Sequence, residues 1–268
     1  MAGGVTDDWV PDLLSRTAEA VAEALRVDRA VDRDAWRDRG GRPGQYRIDL
    51  VADAAALEVL RGAGVGILSE ESGLEDRGSG LIVAVDPVDG STNASRHLPW
   101  YATSLCAVDD AGPVAALVVN LATGTRYEAV RGGGAFRDGA PVRPSTVTEV
   151  GAALLVLNGY AGENVGWRQY RALGATALDL CAVADGSVDA TMDCTVDALG
   201  PWDYLGGALL ITEAGGHVAD LHGRPLVELD HDVRRTPVSA GTEELFQTLL
   251  SERRALPSGR PPDPSTRP

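Results

Sequence analysis

The segment LIVAVDPVDGSTN, residues 81–93, joins an apolar run to two acidic residues and a group of small hydroxyl side chains. Residues 81–85 are all apolar, which predicts a strand buried on both faces. A proline and a glycine then favour a sharp turn after Asp86, and the hydroxyl residues favour the start of a helix. The segment therefore predicts a strand, a turn and a helix with acidic side chains at the junction.

The same segment contains the groups that bind a cation and a phosphate. Asp86 and Asp89 are three residues apart on the predicted turn and can converge on one point. Carboxylates and a backbone carbonyl are the ligands that Mg²⁺ takes. The free N–H groups of Gly90, Ser91 and Thr92 suit a phosphate at a helix start. An ordinary turn in which Asp86 is only a cap explains these residues equally well.

Two rival motifs fail on spacing. An EF-hand loop needs acidic residues at alternate positions, and Val88 breaks that alternation. A phosphatase with an aspartyl nucleophile usually carries Asp-x-Asp, whereas the gap between Asp86 and Asp89 is three. Neither class accounts for the segment.

Two further acidic features flank apolar elements elsewhere in the chain. Glu70 and Glu71 follow the apolar run of residues 64–68 and so lie at a predicted strand end. Asp203 follows Trp202 at the start of a predicted helix that ends with a Glu-Ala-Gly-Gly sequence. Taken singly, a Glu pair is typical of a solvated loop, and the helix dipole favours an acid in a first turn.

Composition excludes several classes of protein. The chain has 268 residues, 44% hydrophobic and 24% charged, which is ordinary for one large globular domain or two small ones. Its 39 acidic and 24 basic residues give a net charge of −15. We expect no nucleic acid or anionic membrane as a partner. A small phosphorylated substrate stays possible because bound divalent cations reverse the local charge.

The location of the protein is predicted from its cysteines and its hydropathy. The three cysteines are far apart in the sequence and form no CxxC pair, which predicts reduced thiols, no disulfide framework and no zinc site. The first residues lack the basic and apolar regions of a secretory signal. No apolar run is long enough to span a membrane. We therefore expect a cytoplasmic protein.

Periodicity predicts alternating helices and strands. An antiparallel meander is expected over residues 101–130, and residues 28–47 read as a mobile loop. The mixture favours a layered α/β or α+β architecture, with halves 1–145 and 146–255 and a disordered tail at 256–268. Helices are predicted at residues 11–27, 53–62, 176–186, 202–214 and 243–255, and other strands at 64–68, 81–85, 153–157, 188–193 and 237–241.

Taken together, the three acidic segments resemble the inositol monophosphatase family of Mg²⁺-dependent, lithium-sensitive phosphomonoesterases. The resemblance covers roughly residues 10–255. It implies a five-layer α-β-α-β-α sandwich, a homodimer, and hydrolysis of a small polyol or sugar phosphate such as inositol 1-phosphate by metal-activated water. The segments that carry it are Glu70-Glu71-Ser72, residues 86–93, and Trp202-Asp203 through Gly216.

The resemblance also implies two or three Mg²⁺ ions and a catalytic pair. Glu70, with the Ser91 hydroxyl as a relay, would orient and deprotonate the attacking water. The phosphate would rest on the amides of Gly90, Ser91 and Thr92. The implied ligands are Glu70, Asp86 and the Val88 carbonyl for one cation, Asp86, Asp89 and Asp203 for a second, and a position near Glu70 for a weaker third.

The sequence departs from the family in two places near this site. The family often has Thr where this chain has Ser91, so a hydroxyl is kept without the β-methyl group. The upstream Thr-x-x-Asp element is reduced to residues 50–53, which keep only the acid. Asp53 would support the hydroxyl relay or a cation, Asp49 is its competitor, and a helix N-terminal role for Asp53 is an equal alternative.

Substrate recognition is less specific in the sequence. Gly174, Ala175 and Thr176 resemble the family segment whose backbone meets substrate hydroxyls. Asp193 would accept a sugar or inositol hydroxyl, the alternative being a strand-end acid that faces water. The stretch from Asp193 to Asp203 looks longer than in the inositol enzymes. The alternative substrates are therefore fructose 1,6-bisphosphate, histidinol phosphate or a specialised-metabolite ester. The alternative to an enzyme is a non-catalytic relative that binds metal and sugar phosphate.

The remaining candidate functional residues are predicted to have structural roles. The Arg-Gly-Gly-Gly sequence at residues 131–134 lacks the Lys of a phosphate-binding P-loop and predicts a hairpin turn. The histidines show no metal-ligand spacing and are predicted to be surface or structural residues: His97, His217, His222 and His231.

Overall fold

Six α-helices and two β-sheets make up the part of the chain that the computed structural model describes, residues 9–31, 35–41 and 45–256. Two of the helices precede the first sheet, and the others lie between and after the strands. The helices are α1 (Trp9–Val31), α2 (Arg47–Ala63), α3 (Ser91–Ser95), α4 (Thr176–Ala184), α5 (Pro201–Ala214) and α6 (Glu243–Ala255).

The first sheet has eight strands and is antiparallel except for one pair. β1 and β3 run parallel, so both approach the same edge at their carboxyl ends. The other neighbours pair antiparallel. The spatial order is β2 (Gly73–Glu75), β1 (Gly66–Ser69), β3 (Ile82–Asp89), β4 (Ala102–Asp109), β5 (Gly112–Asn120), β6 (Arg126–Val130), β7 (Gly134–Arg137) and β8 (Ala140–Pro141).

The second sheet has five strands of mixed direction. β9 pairs parallel with both of its neighbours, β10 and β11. β13 pairs antiparallel with β11 and β12. The spatial order is β10 (Gln169–Arg171), β9 (Leu154–Asn158), β11 (Ala190–Asp193), β13 (Pro237–Ala240) and β12 (His217–Asp220).

Three apolar cores bind these elements into five layers. The first core lies between α1, α2 and one face of the eight-stranded sheet. The second lies around α4 and α5, which pack between the two sheets. The third joins the five-stranded sheet to α6. The predicted α-β-α-β-α sandwich is therefore confirmed.

Close helix packing in the central layer depends on small residues. A Cβ added to Gly207 of α5 would lie 2.4 Å from the Leu180 Cβ of α4, far inside van der Waals contact. The helix ends at Gly215, whose φ of 95° lies in the left-handed region that favours glycine. The Gly-Gly sequence predicted to stop this helix does so.

Most predicted elements are confirmed, and the loop predicted at residues 28–47 is wrong in part. The meander of residues 101–130 forms β4, β5 and β6 as consecutive antiparallel strands. The predicted loop at residues 28–47 is instead helical at its start, because α1 continues to Val31, and it contains a helical turn at Ala35–Arg37. Residues 257–268 of the predicted tail lie outside the described residues. The boundary near residue 145 stays a prediction.

Across the described ranges, no helix combines the length and the apolar character that crossing a bilayer requires.

Candidate active site

A β-bulge in β3 brings Asp86 and Asp89 to one side of the sheet. Asp86 pairs with Ser104 of β4 and Asp89 pairs with Ala102, so three steps along β3 match two along β4. In a regular strand residues i and i+3 face opposite sides, and the extra residue of a bulge cancels that alternation. The expected turn after Asp86 is therefore wrong: the strand continues through the bulge to Asp89.

Asp203 joins this pair from the first turn of α5. Its Oδ2 accepts a hydrogen bond of 2.7 Å from the Gly200 amide, and Pro201 occupies the first turn of the helix. Single carboxylate oxygens of Asp86, Asp89 and Asp203 all lie within 4.8 Å of one another. Oxygens at these separations can share one small cation.

Asp89 is held by a second helix. Its Oδ2 accepts a hydrogen bond of 2.6 Å from the Ala177 amide in the first turn of α4. Asp89 and Asp203 therefore each have one oxygen fixed by a helix N-terminus, where the helix dipole stabilises a negative charge. The fixed oxygen sets the direction of the other.

Glu70 reaches the same place from β1. Its amide donates to the Val85 carbonyl over 3.1 Å, which continues the parallel pairing of β1 with β3 past the strand end. After burial, the charges of Glu70 and Asp203 both raise the pKa of Asp86. We call Glu70, Asp86, Asp89 and Asp203 the carboxylate cluster.

Burial and mutual repulsion raise the pKa values of these acids. Burial, the largest cause, and then neighbouring acids, Asp203 first, together raise the pKa of Glu70 to about 8. Burial likewise raises the pKa of Asp203 to about 7 and those of Asp86 and Asp89 well above the ordinary value. Asp86 is only 1% exposed. Buried acids that crowd one point fit a divalent cation, which supplies the missing positive charge.

Val88, whose carbonyl is a predicted ligand, lies inside the bulge. It is buried, and its amide donates to the Asp86 Oδ1 over 3.0 Å. That hydrogen bond fixes the Asp86 carboxylate relative to the bulge. The carbonyl as a ligand stays a prediction.

The predicted phosphate-binding residues form the start of α3. Gly90 precedes the helix with a φ of 84°, which favours glycine. A Cβ at this position would also lie 3.0 Å from the Ala175 Cβ and from the Gly174 carbonyl. Glycine therefore allows the two predicted substrate segments to touch. We call the amides of Gly90, Ser91 and Thr92 the phosphate cradle.

Asn93 fixes the cradle to its surroundings. Its Nδ2 donates to the Trp100 carbonyl over 2.8 Å and to the Leu173 carbonyl over 2.7 Å. These bonds hold α3 against the loop that leads into Gly174 and Ala175. Thr176, the third residue of that predicted segment, begins α4.

Asp193 is buried at the end of β11. It is 3% exposed, so the alternative of a strand-end acid facing water is wrong. Its Oδ1 accepts a hydrogen bond of 3.0 Å from the Thr195 amide, and its Oδ2 has no hydrogen-bond partner among the described residues. It lines a small cavity with Thr176 and Asp179, and burial raises its pKa to about 7.

The two competing acids of α2 have different partners. The Asp53 side chain accepts hydrogen bonds from the Ser69 hydroxyl, over 2.5 Å, and from the Ser72 hydroxyl, so it braces the segment that carries Glu70. Asp53 lies inside α2 rather than at its N-terminus. Asp49 is the acid in the first turn, and its charge raises the pKa of Glu70 and of Asp86. The structure therefore places Asp49 close enough to the carboxylate cluster for its charge to act there. Asp53 instead binds Ser69 and Ser72 and not Ser91.

His231, predicted to be a surface or structural residue, contacts the backbone of Glu70, and Arg234, which the sequence did not single out, acts on Asp203. His231 Nε2 lies 3.1 Å from the Glu70 carbonyl oxygen, and its ring centroid lies 4.8 Å from that of Trp202. The Arg234 guanidinium lies 5.0 Å from the Trp202 ring, and its charge lowers the pKa of Asp203. Because 161 residues separate His231 from Glu70, no local pattern could have signalled this contact.

Glu213, part of the Glu-Ala-Gly-Gly sequence, has a structural partner. Its carboxylate accepts hydrogen bonds from the Gly132 amide, over 2.8 Å, and from the Gly134 amide, over 3.0 Å. The hairpin turn predicted at residues 131–134 is confirmed, since it joins β6 to β7. Glu213 thus ties this turn to the end of α5.

The cysteines agree with the prediction of reduced thiols. All three, Cys106, Cys181 and Cys194, are free and buried. Burial raises the pKa of the Cys106 thiol to about 12, so it is inert as a nucleophile. Cysteine chemistry therefore does not compete with the carboxylate cluster as the candidate function.

Known proteins share both the sequence and the fold. One relative, a fructose-1,6-bisphosphatase/inositol-1-monophosphatase of Archaeoglobus fulgidus, is 35% identical over 209 residues, which cover 75% of this chain and 81% of the relative. The Nus factor SuhB of Escherichia coli is 31% identical over 225 residues, covering 77% and 81%. A solved Pyrococcus horikoshii protein, described as a hypothetical protein with similarities to inositol-1 monophosphatase, superposes with a TM-score of 0.77 at 25% identity, covering 91% and 96%.

The sequence profile of the inositol monophosphatase family matches residues 12–257, which include every member of the carboxylate cluster. The chain therefore belongs to the inositol monophosphatase family.

Proposed function

We propose that this protein is a Mg²⁺-dependent phosphatase that hydrolyses a small sugar or polyol phosphate monoester. The observation that carries the proposal is the convergence of Asp86, Asp89 and Asp203 within 4.8 Å. These acids lie directly beside the phosphate cradle, because Gly90 follows Asp89 in the chain. Membership of a phosphatase family supports the same reaction class.

The residues present fit divalent cations. Four acids that share one buried place have raised pKa values, so their ionised forms need compensating positive charge. Mg²⁺ prefers such oxygen ligands. When bound, it would lower the pKa of a coordinated water and offset the negative charge of the phosphate. The proposed ligands are Glu70, Asp86, the Val88 carbonyl, Asp89 and Asp203.

The chain's own groups position the reacting atoms. Burial and neighbouring acids raise the pKa of Glu70 to about 8, so it would take a proton from water once bound cations favour its ionised form. The Ser91 hydroxyl would relay that proton. The amides of the cradle would hold the phosphate oxygens, since the first N–H groups of a helix have no partner within it.

Asp193 would select the alcohol part of the substrate. A buried carboxylate oxygen without a hydrogen-bond partner is costly, and a substrate hydroxyl that donates to it removes that cost. Thr176 lines the same small cavity and lies at the start of α4, next to the helix turn that holds Asp89. The proposed hydroxyl site and the acid that precedes the phosphate site thus both contact the first turn of α4.

The name of the Archaeoglobus fulgidus relative combines two substrates, fructose 1,6-bisphosphate and inositol 1-phosphate. We propose that the substrate of this chain lies in the same chemical class. Phosphate release should be measured on inositol 1-phosphate, fructose 1,6-bisphosphate and histidinol phosphate, with Mg²⁺ and with EDTA. Turnover of at least one ester that needs Mg²⁺ and is inhibited by Li⁺ is expected. Equal rates with and without Mg²⁺ would contradict the proposal.

A non-catalytic role is the second candidate. The observation that favours it is the similarity to a relative named as a Nus factor rather than as a phosphatase. Retention of all four acids of the carboxylate cluster favours catalysis, because a relative that only binds a sugar phosphate does not need Glu70 as a base for water. Calorimetry decides: tight binding of a sugar phosphate with Mg²⁺ but no phosphate release over hours would favour the second candidate.

The expected homodimer belongs to this proposal as well. One chain has a mass of 28.0 kDa, and sedimentation equilibrium of the purified protein should give twice that mass.

A further inference from the structure

Three arginines surround one cavity at the far end of α3. Arg37 and Arg39 lie in the segment before α2, and Arg96 follows the last residue of α3. Tyr46 and Ser95 complete the lining of this cavity. All three arginines are exposed. We call them the arginine cluster.

Contacts fix the arginine cluster relative to the phosphate cradle. Arg37 Nε donates to the Ser95 carbonyl over 3.2 Å, and the Arg39 guanidinium lies 4.7 Å from the centre of the Tyr46 ring. The Tyr46 hydroxyl lies 3.3 Å from the Thr92 Oγ1. A single tyrosine side chain therefore joins the arginine cluster to a residue of the cradle.

No ion pair with a described acid neutralises the arginine cluster. Within the described residues, no carboxylate oxygen lies within 4.0 Å of these three guanidiniums, although acids outnumber bases by 39 to 24 in the whole chain. The hydrogen bond between Tyr46 and Thr92 is the main cause that lowers the pKa of Tyr46, and the charges of Arg39 and Arg96 add to it. Both guanidiniums thus act on the same hydroxyl. Like charges held together favour the binding of an anion between them.

We propose that the arginine cluster binds the second phosphate of a bisphosphorylated sugar whose scissile phosphate occupies the cradle. The inference rests on the proposed function, because it names the substrate class of that same site. Guanidinium groups bind a phosphate through paired hydrogen bonds and opposite charge. A substrate hydroxyl at the same place carries no negative charge and would bind more weakly. From Ser91 to Ser95 the axis of α3 advances about 6 Å, a distance on the scale of a sugar carbon chain. A sugar bisphosphate is therefore preferred over a sugar monophosphate.

The test compares two substrates in one variant. Arg96→Gln removes one guanidinium that makes no hydrogen bond or ion pair with another described residue. We expect the ratio of kcat/KM for fructose 1,6-bisphosphate to kcat/KM for inositol 1-phosphate to fall about 10-fold, the size of one lost charge-assisted contact. The fall should come from KM for the bisphosphate. Arg39→Gln should lower the same ratio, and Arg96→Lys should restore part of it.

Arg168→Gln is the matched control, because Arg168 is exposed and its only described hydrogen bond is through its backbone amide. The ratio for this variant should stay within 2-fold of wild type. An equal ratio in Arg96→Gln, Arg39→Gln and Arg168→Gln would overturn the inference. A weaker affinity for inorganic phosphate with an unchanged ratio would also overturn it, since the cluster would then bind a free anion.

A second measurement separates this inference from the proposed function. Binding of fructose 1,6-bisphosphate to wild type and to Arg96→Gln is followed by phosphorus NMR in EDTA, where no turnover occurs. About 10-fold weaker binding by the variant supports the arginine site even if no ester is hydrolysed. Hydrolysis of esters together with equal binding by the two proteins refutes the arginine site alone.

Discussion

The two ends of α3 have opposite chemistry. At its start lies the carboxylate cluster, whose acids are crowded and have raised pKa values. At its end lies the arginine cluster, whose positive charges lack acidic partners among the described residues. A five-residue helix thus separates a site that needs cations from a site that needs an anion. The contrast teaches that net charge, here −15, says little about which ligand a particular surface binds.

Removing one acid of the carboxylate cluster should cause the largest loss of activity. Asp86→Asn replaces the acid on which the charges of Glu70 and Asp203 both act, so we expect phosphate release with Mg²⁺ to fall by about 10³-fold or more. Asp110→Asn makes the same chemical change at an exposed position and should keep the wild-type rate. Turnover of Asp86→Asn at the wild-type rate would refute the ligand assignment.

The junction between the two ends depends on Gly90. An alanine there would have a left-handed φ and a Cβ 3.0 Å from the Ala175 Cβ, so the cradle must shift. We expect Gly90→Ala to lower kcat/KM by about 30-fold and the free energy of unfolding by about 2 kcal/mol. Gly124→Ala is the control, because Gly124 also has a positive φ but nothing lies within 4 Å of its Cβ position. Similar kinetics for the two variants would show that the cradle tolerates a side chain.

The carboxylate cluster should make the stability of the protein depend on pH. The pKa values of Glu70, about 8, and Asp203, about 7, exceed the ordinary values of 4.5 and 3.8. The folded protein therefore binds more protons than the unfolded chain between about pH 4 and 8, and its stability falls as pH rises through that range.

Without metal, Tm should drop by about 5 °C from pH 5 to pH 8. Mg²⁺ should restore Tm more at pH 8 than at pH 5, since ionised ligands bind it best. Differential scanning calorimetry at several pH values measures both effects. A Mg²⁺ shift that is largest at pH 5 would be inconsistent with metal binding by these acids.

A third place, remote from both clusters, should show the smallest effect. Glu213→Gln weakens the hydrogen bonds that tie the hairpin turn to α5. We expect the free energy of unfolding to fall by about 1 kcal/mol and kcat/KM to change less than 2-fold. Urea denaturation and phosphate release provide the two readouts. A large loss of activity would mean that this turn influences the site.

The amino-acid sequence by itself determined most of the elements and the acidic motifs. Apolar periodicity predicts the helices and the meander, because helices and strands repeat at different periods. The residue types and order of the three acidic segments resemble those of the family, and the resemblance implies the layered sandwich. These are local properties, and they were predictable without contacts.

Only the tertiary structure decided how distant residues meet. The bulge in β3 sets the face of Asp89 through its pairing with β4, and strand periodicity alone would turn that residue away. Asp193 becomes buried because other elements cover it, and the choice between Asp49 and Asp53 depends on the direction of α2. The arginine cluster joins residues more than 50 positions apart, Arg37 and Arg96. Such contacts follow from packing and chain topology, which no local sequence pattern encodes.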